Sequence, residues 1–144
     1  MKLVDRRQTV IVVVGGGESG ADRPLALALQ REIDARGGTL YRRALVIGDQ
    51  AYLDRPDLYQ HPTIAIGGPG ANAVAARFVP DLPTLWQADE DAYVQVGLGD
   101  DLKRVALWGV NAAATAQAVD VFMGQGLLDI LLERIWQADP DVLM

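Results

Sequence analysis

Residues Thr9–Val14 read TVIVVV, an unbroken β-branched run that stops at Gly15, Gly16 and Gly17. A strand apolar on both sides must be covered on both faces, which is the condition of a strand inside a parallel sheet. The period then changes. Leu25, Leu29 and Ile33 recur at helical spacing with Ala26 beside them, while Arg31, Glu32, Asp34 and Arg36 fill the opposite side. This predicts an amphipathic helix that Ser19 or Asp22 starts, with Pro24 in its first turn and Gly37 and Gly38 as its stop.

A second apolar segment over 44–47, with a start near Leu40, ends at Gly48 and Asp49. Residues 50–62 carry Pro56, Pro62, Tyr52 and Tyr59 and read as a loop holding a short helix that Asp54 caps. Thr63–Ile66 is a third strand, followed by Gly67, Gly68, Pro69 and Gly70 and an alanine-rich helix over 71–78. Residues 84–86 and 93–97 are expected as an antiparallel pair across Asp89, Glu90 and Asp91. Residues 105–108 form the last strand. Gly109, Val110 and Asn111 then lead into a helix to 122 with a stripe of Ala112, Ala116, Val119 and Met123. Gly124 and Gly126 interrupt, and Leu127, Leu128, Leu131, Leu132 and Ile135 mark a closing amphipathic helix through Trp136.

Strands alternating with helices predict an α/β fold of three layers: a mainly parallel sheet, Rossmann-like or flavodoxin-like, with helices on both faces and an antiparallel pair near 84–97. The length of 144 residues suits one domain, 1–144. No repeat, low-complexity stretch or linker interrupts it.

Composition narrows the function classes. The chain is 50% hydrophobic and 22% charged, ordinary for a globular domain, and its net charge of −6 opposes binding to a phosphate backbone. Its two arginine pairs, Arg6 with Arg7 and Arg42 with Arg43, read as solvated strand ends. Without cysteine there is no disulfide, thiolate nucleophile or cysteine-ligated metal. The run Val10 to Val14 is too short for a signal sequence or a membrane span, so the expected location is cytoplasmic.

Chemistry is expected at the glycine turns. Three predicted strands end in glycine and pass into a helix: at Gly15, Gly16, Gly17, Glu18 and Ser19; at Gly67, Gly68, Gly70 and Asn72; and at Gly109 and Asn111. If the strands are parallel, the turns share the sheet edge at which open α/β sheets bind ligands. Glycine lets backbone N–H groups approach a ligand, and a helix N-terminus favours an anion. The competing reading is turn chemistry alone, with Asn72 and Asn111 as helix caps. Gly15, Gly17 and Gly20 fit G-x-G-x-x-G, yet the acidic partner expected near Leu40 is missing, and Asp49 comes later than that pattern places it. No P-loop pattern occurs.

Glu18 and Asp49 are candidates for a carboxylate pair that holds Mg²⁺ or does acid–base work, with Asp22 nearby; Asp22 reads more simply as a helix-start residue and Asp49 as a turn residue. His61 is the single histidine and Ser19 the single serine, and no G-x-S-x-G surrounds Ser19, which argues against a serine triad. Trp86, Trp108 and Trp136 are expected in the core or an interface, and Tyr52 and Tyr59 are candidates, as the lesser alternative, to line the crevice from the loop after the second strand.

The stretch Thr63-Ile64-Ala65-Ile66-Gly67-Gly68-Pro69-Gly70-Ala71-Asn72-Ala73-Val74 resembles the strand–GGPxxN–helix segment of archaeal S-layer-type proteins. Val105-Ala106-Leu107-Trp108-Gly109, followed by Thr115-Ala116-Gln117-Ala118-Val119, is similar to a later segment of that family. The resemblance covers 63–123 and implies a small α/β module used in assembly, without the signal segment, anchor or β-rich region of a surface layer. The paired glycine loops are also similar to those of the lysine-decarboxylase-like nucleotide-binding group, but Gly67-Gly68-Pro69-Gly70-Ala71-Asn72 has neither the threonine nor the glutamate of that segment.

Three readings follow. The first is a non-catalytic module that binds a small anion or nucleotide, or serves in assembly. The second is an enzyme acting on a phosphorylated or nucleotide-like substrate with Mg²⁺. The third is a structural homo-oligomer joined through the closing helix and Trp136. No cofactor is specified by any motif, and neither nucleic acid nor membrane is expected as a partner.

Overall fold

The structure is a computed structural model that describes residues 9–15, 22–37, 42–88, 91–98 and 103–136. The chain runs β1 (Thr9–Val14), α1 (Arg23–Gly37), β2 (Arg43–Gly48), α2 (Asp49–Leu53), a 3-10 turn (Pro56–Gln60), β3 (Thr63–Ile66), α3 (Ala73–Phe78), β4 (Thr84–Ala88), β5 (Ala92–Leu98), β6 (Lys103–Gly109), α4 (Ala112–Gly124) and α5 (Leu127–Ile135).

These strands form one six-stranded sheet in the order β2-β1-β3-β6-β5-β4. The first four strands in that order are parallel, and β5 runs antiparallel to both of its neighbours. The α/β class and the antiparallel pair are as the sequence predicts. Every residue of β1 is buried, because alternate side chains enter two different cores. Val10, Val12 and Val14 pack with Leu29 and Ile33 of α1, with Phe122 of α4 and with Leu128, Leu131 and Leu132 of α5. Ile11 and Val13 pack on the other face with Tyr52 of α2, Leu58 of the 3-10 turn and Val74 and Phe78 of α3. The sheet is therefore covered on both faces. Between β1 and β2 the chain crosses one face in one direction, and between β2 and β3 it crosses the other face in the opposite direction. Both crossovers then share one hand, as parallel connections require.

Three local expectations are corrected. Asp54 does not start a helix: it sits at the C-terminal end of α2, and neither α2 nor the 3-10 turn receives a side-chain cap. Tyr52 is 1% exposed and stacked on Tyr59, with ring centroids 5.1 Å apart, so this pair belongs to the α2–α3 face and not to the crevice. On α4 the buried residues are Ala114, Thr115, Ala118, Val119 and Phe122, so of the expected stripe Val119 is buried and Met123 packs partly buried against the core. An alanine-rich helix gives a weak periodic signal, and Phe122, as its largest side chain, takes the core-facing position. Trp136 packs against the main core along with Leu127 and Ile135, one of the two places expected for it. The strand start expected near Leu40 and the helix stop expected at Gly38 lie outside the described residues, as do Asp89 and Glu90. No helix among the described residues is long and apolar enough to cross a membrane.

Candidate functional site

Because β1, β3 and β6 are parallel neighbours, the glycine turns that follow them lie side by side on one edge of the sheet. The helices after these turns alternate in face: α1 and α4 pack on one side, α3 on the other. Wherever adjacent parallel strands send their chains to opposite faces, a crevice opens between the two turns. Between the three glycine turns there are two such places, β1/β3 and β3/β6.

At the β1/β3 place the described residues bond across the two strand ends. Asn72, 1% exposed, donates from Nδ2 to the carbonyls of Val13 (3.1 Å) and Ile66 (3.0 Å), tying the ends of the two strands together. Its Oδ1 accepts from the backbone N–H groups of Val74 and Ala75 and so caps α3. The Ala71 carbonyl oxygen lies over Gly15, where any Cβ would run into it. Asp49, at the start of α2, accepts at Oδ2 from the Ala73 N–H (2.8 Å) and at Oδ1 from the Gln50 N–H (2.8 Å). Buried acceptors and donors need such partners, and here one asparagine and one aspartate supply them for two strands and two helices.

The β3/β6 place is open. A cleft of about 520 Å³ lies between Gly68, Pro69, Gly70 and Ala71 on one side and Trp108, Gly109, Val110, Asn111 and Ala112 on the other. Thr115 lines it at depth and Asp22, at the start of α1, closes a third side. The wall after β6 is held in place by bonds of its own. The Gly109 N–H donates to Thr115 Oγ1 (3.0 Å), and Asn111 Oδ1 accepts from the Ala114 N–H (2.8 Å), which caps α4. Trp108 donates from Nε1 to Gln95 Oε1 (2.6 Å), and Gln95 donates on to the carbonyls of Val79 and Leu82. The Trp108 ring also stacks on Tyr93, its cross-strand partner, with centroids 4.3 Å apart. The opposite wall is held by the Gly67 N–H, which donates to the Leu107 carbonyl (2.9 Å).

Asp22 is the charged side chain among the described residues lining the cleft. Burial pushes its carboxyl pKa above the ordinary value. Gly67, with φ of 109°, takes the left-handed backbone that keeps the turn close to this carboxylate.

The predicted site residues therefore divide. Gly68, Gly70, Gly109 and Asn111 line the cleft. Gly15, Gly67, Asp49 and Asn72 build the edge and do not line it. Gly16, Gly17, Glu18 and Ser19 lie outside the described residues. Asp49 does not join Asp22 at the cleft, and among the described residues no group of three or more acidic or histidine side chains is placed to hold a metal ion. Trp108 and Thr115 are not among the expected site residues, and only the fold brings them to the cleft.

A second cavity of about 270 Å³ lies on the α2–α3 face, lined by Tyr52, Tyr59, Phe78 and Arg104 among others. Two of its polar groups are engaged: Tyr59 donates to the Leu53 carbonyl, and Arg104 donates to the Tyr59 carbonyl while lying 4.7 Å over the Phe78 ring. It is remote from the glycine turns. No protein-family model and no curated protein matches the chain.

Proposed function

We propose that this protein is a non-catalytic binding module that takes a small nucleotide-like ligand in the cleft at the ends of β3 and β6. The observation that carries this reading is the contrast between two neighbouring crevices on one edge. At one, Asn72 and the Ala71–Gly15 contact join the described strand ends, and at the other a cleft of about 520 Å³ stands open. Pockets of several hundred cubic ångströms at strand C-termini are the usual ligand sites of such sheets. The β2-β1-β3 order supports a flavodoxin-like reading of the scaffold. The cleft wall holds one carboxylate, and the Thr115 hydroxyl is occupied with the Gly109 N–H, which favours binding over catalysis. The S-layer-type resemblance spans both cleft turns, and we read it as a shared scaffold.

The test is thermal unfolding of the purified protein with nucleotides, sugar phosphates and inorganic anions, with and without Mg²⁺. A ligand at a hundred times its Kd stabilises the fold by about 2.7 kcal/mol, a shift of several degrees for this chain length. Gly68→Leu is the control. A Cβ at Gly68 would meet Trp108 and the Gly109 carbonyl at 3.5 Å, ordinary contact, so a larger side chain there occupies the space between the walls without distorting the turn. Loss of the shift in Gly68→Leu supports the site. A shift that persists in the variant places binding elsewhere, and the absence of any shift moves the weight to an assembly role.

A further inference from the structure

Asp22 stands where a helix cap belongs and does not act as one. Its carbonyl accepts the Ala26 N–H (3.1 Å) and so begins α1. An aspartate at that position ordinarily turns its carboxylate back onto the first helical N–H groups. Here the carboxylate lies against Gly67 and lines the cleft, and among the described residues it makes no hydrogen bond or ion pair. Burial is the sole cause acting on its pKa, which agrees with the missing partner. A half-buried carboxylate without a partner is a cost to the fold, and such costs collect where a ligand supplies what is missing.

The two ends of the cleft make opposite demands. Asp22 repels a bare anion. The first turn of α4 presents the positive end of the helix dipole, which opposes a cation. A neutral hydroxylated group satisfies both, because a hydroxyl donates to a carboxylate and accepts from a backbone N–H.

We propose that Asp22 is a ligand-recognition residue that accepts hydrogen bonds from vicinal hydroxyls of a sugar ring, so that the cleft selects ribosyl compounds over inorganic anions. This rests on the cleft reading above. The hydroxyls can come from a nucleotide or from a free sugar phosphate, and the experiment separates these sources.

Calorimetric titration of the full chain would compare the four ribonucleoside monophosphates, their 2′,3′-dideoxy counterparts, ribose 5-phosphate and inorganic phosphate. The wild type is expected to bind at least one ribosyl probe at least about tenfold more tightly than its dideoxy form or phosphate, the range expected of hydrogen bonds to a charged group. Asp22→Asn is expected to lose that preference while its melting temperature does not fall, which separates recognition from unfolding. Binding by a ribonucleotide alone identifies a nucleotide, and equal binding by ribose 5-phosphate identifies the sugar phosphate. Equal affinity for ribosyl and dideoxy probes, with binding still lost in Gly68→Leu, overturns the role of Asp22 and leaves the cleft standing. Failure of every probe to bind overturns both.

Discussion

The carboxylate of Asp22 lies so close to Gly67 that a Cβ added at position 67 would stand 2.6 Å from Oδ2. The start of α1 and the turn after β3 are thus fitted to each other through the absence of one side chain. Gly67 also holds φ at 109°, which L-residues rarely adopt. Gly67→Ala is expected to destabilise the fold by about 1–3 kcal/mol, read by urea unfolding, and to displace Asp22 from the cleft wall. An unchanged midpoint would mean that the turn relaxes freely.

Asp22→Asn is expected to stabilise the protein at neutral pH. The folded-state pKa of Asp22 is raised by burial, so the folded chain holds that proton more tightly than the unfolded chain does. Its penalty is absent below the ordinary carboxylate range and is fully present once the pH passes the raised folded value. The gain in melting temperature of Asp22→Asn over the wild type should therefore be positive at pH 7 and shrink towards zero as the pH falls below about 4. A gain independent of pH would show that the carboxylate charge is not its cause.

Asn72→Ala removes the donor shared by the Val13 and Ile66 carbonyls and the acceptor that caps α3. The expected loss is roughly 2–4 kcal/mol, the sum of a cap and two buried carbonyls left unpaired. Asn72→Asp keeps the cap but turns a charge towards two carbonyl oxygens, and should be no better than Ala by denaturant midpoint.

Gln95→Leu leaves the Trp108 indole N–H and the Val79 and Leu82 carbonyls without their shared partner. A loss of about 1–3 kcal/mol is expected, with altered tryptophan fluorescence as the Trp108 ring loses its anchor. Unaltered emission would show that stacking on Tyr93 holds the ring by itself.

Arg36 on α1 bonds Asp129 on α5 at 2.6 Å, with side chains 29% and 60% exposed. Arg36→Ala should change stability by less than about 1 kcal/mol, since exposed ion pairs are weak and screened by salt. A larger effect would reveal that this pair docks α5.

The alternation of strands and helices was legible because burial imposes periods that residues must obey. TVIVVV had to be a strand covered twice, and Leu25, Leu29 and Ile33 had to share one helix face. Glycine at three strand ends and asparagine at two helix starts were legible as turn and cap chemistry, and Asn72 and Asn111 do cap α3 and α4. These local choices follow from the chain alone, because φ/ψ preference and side-chain period act between near neighbours. Which of them line the cleft depends on how the elements pack. The Asn72 amide points at β1, fifty-nine residues away, and Asp22 turns from its own helix towards the β3 turn. Such directions are set by strand order and by the face each helix takes, and long-range packing, which carries no local period, fixes both.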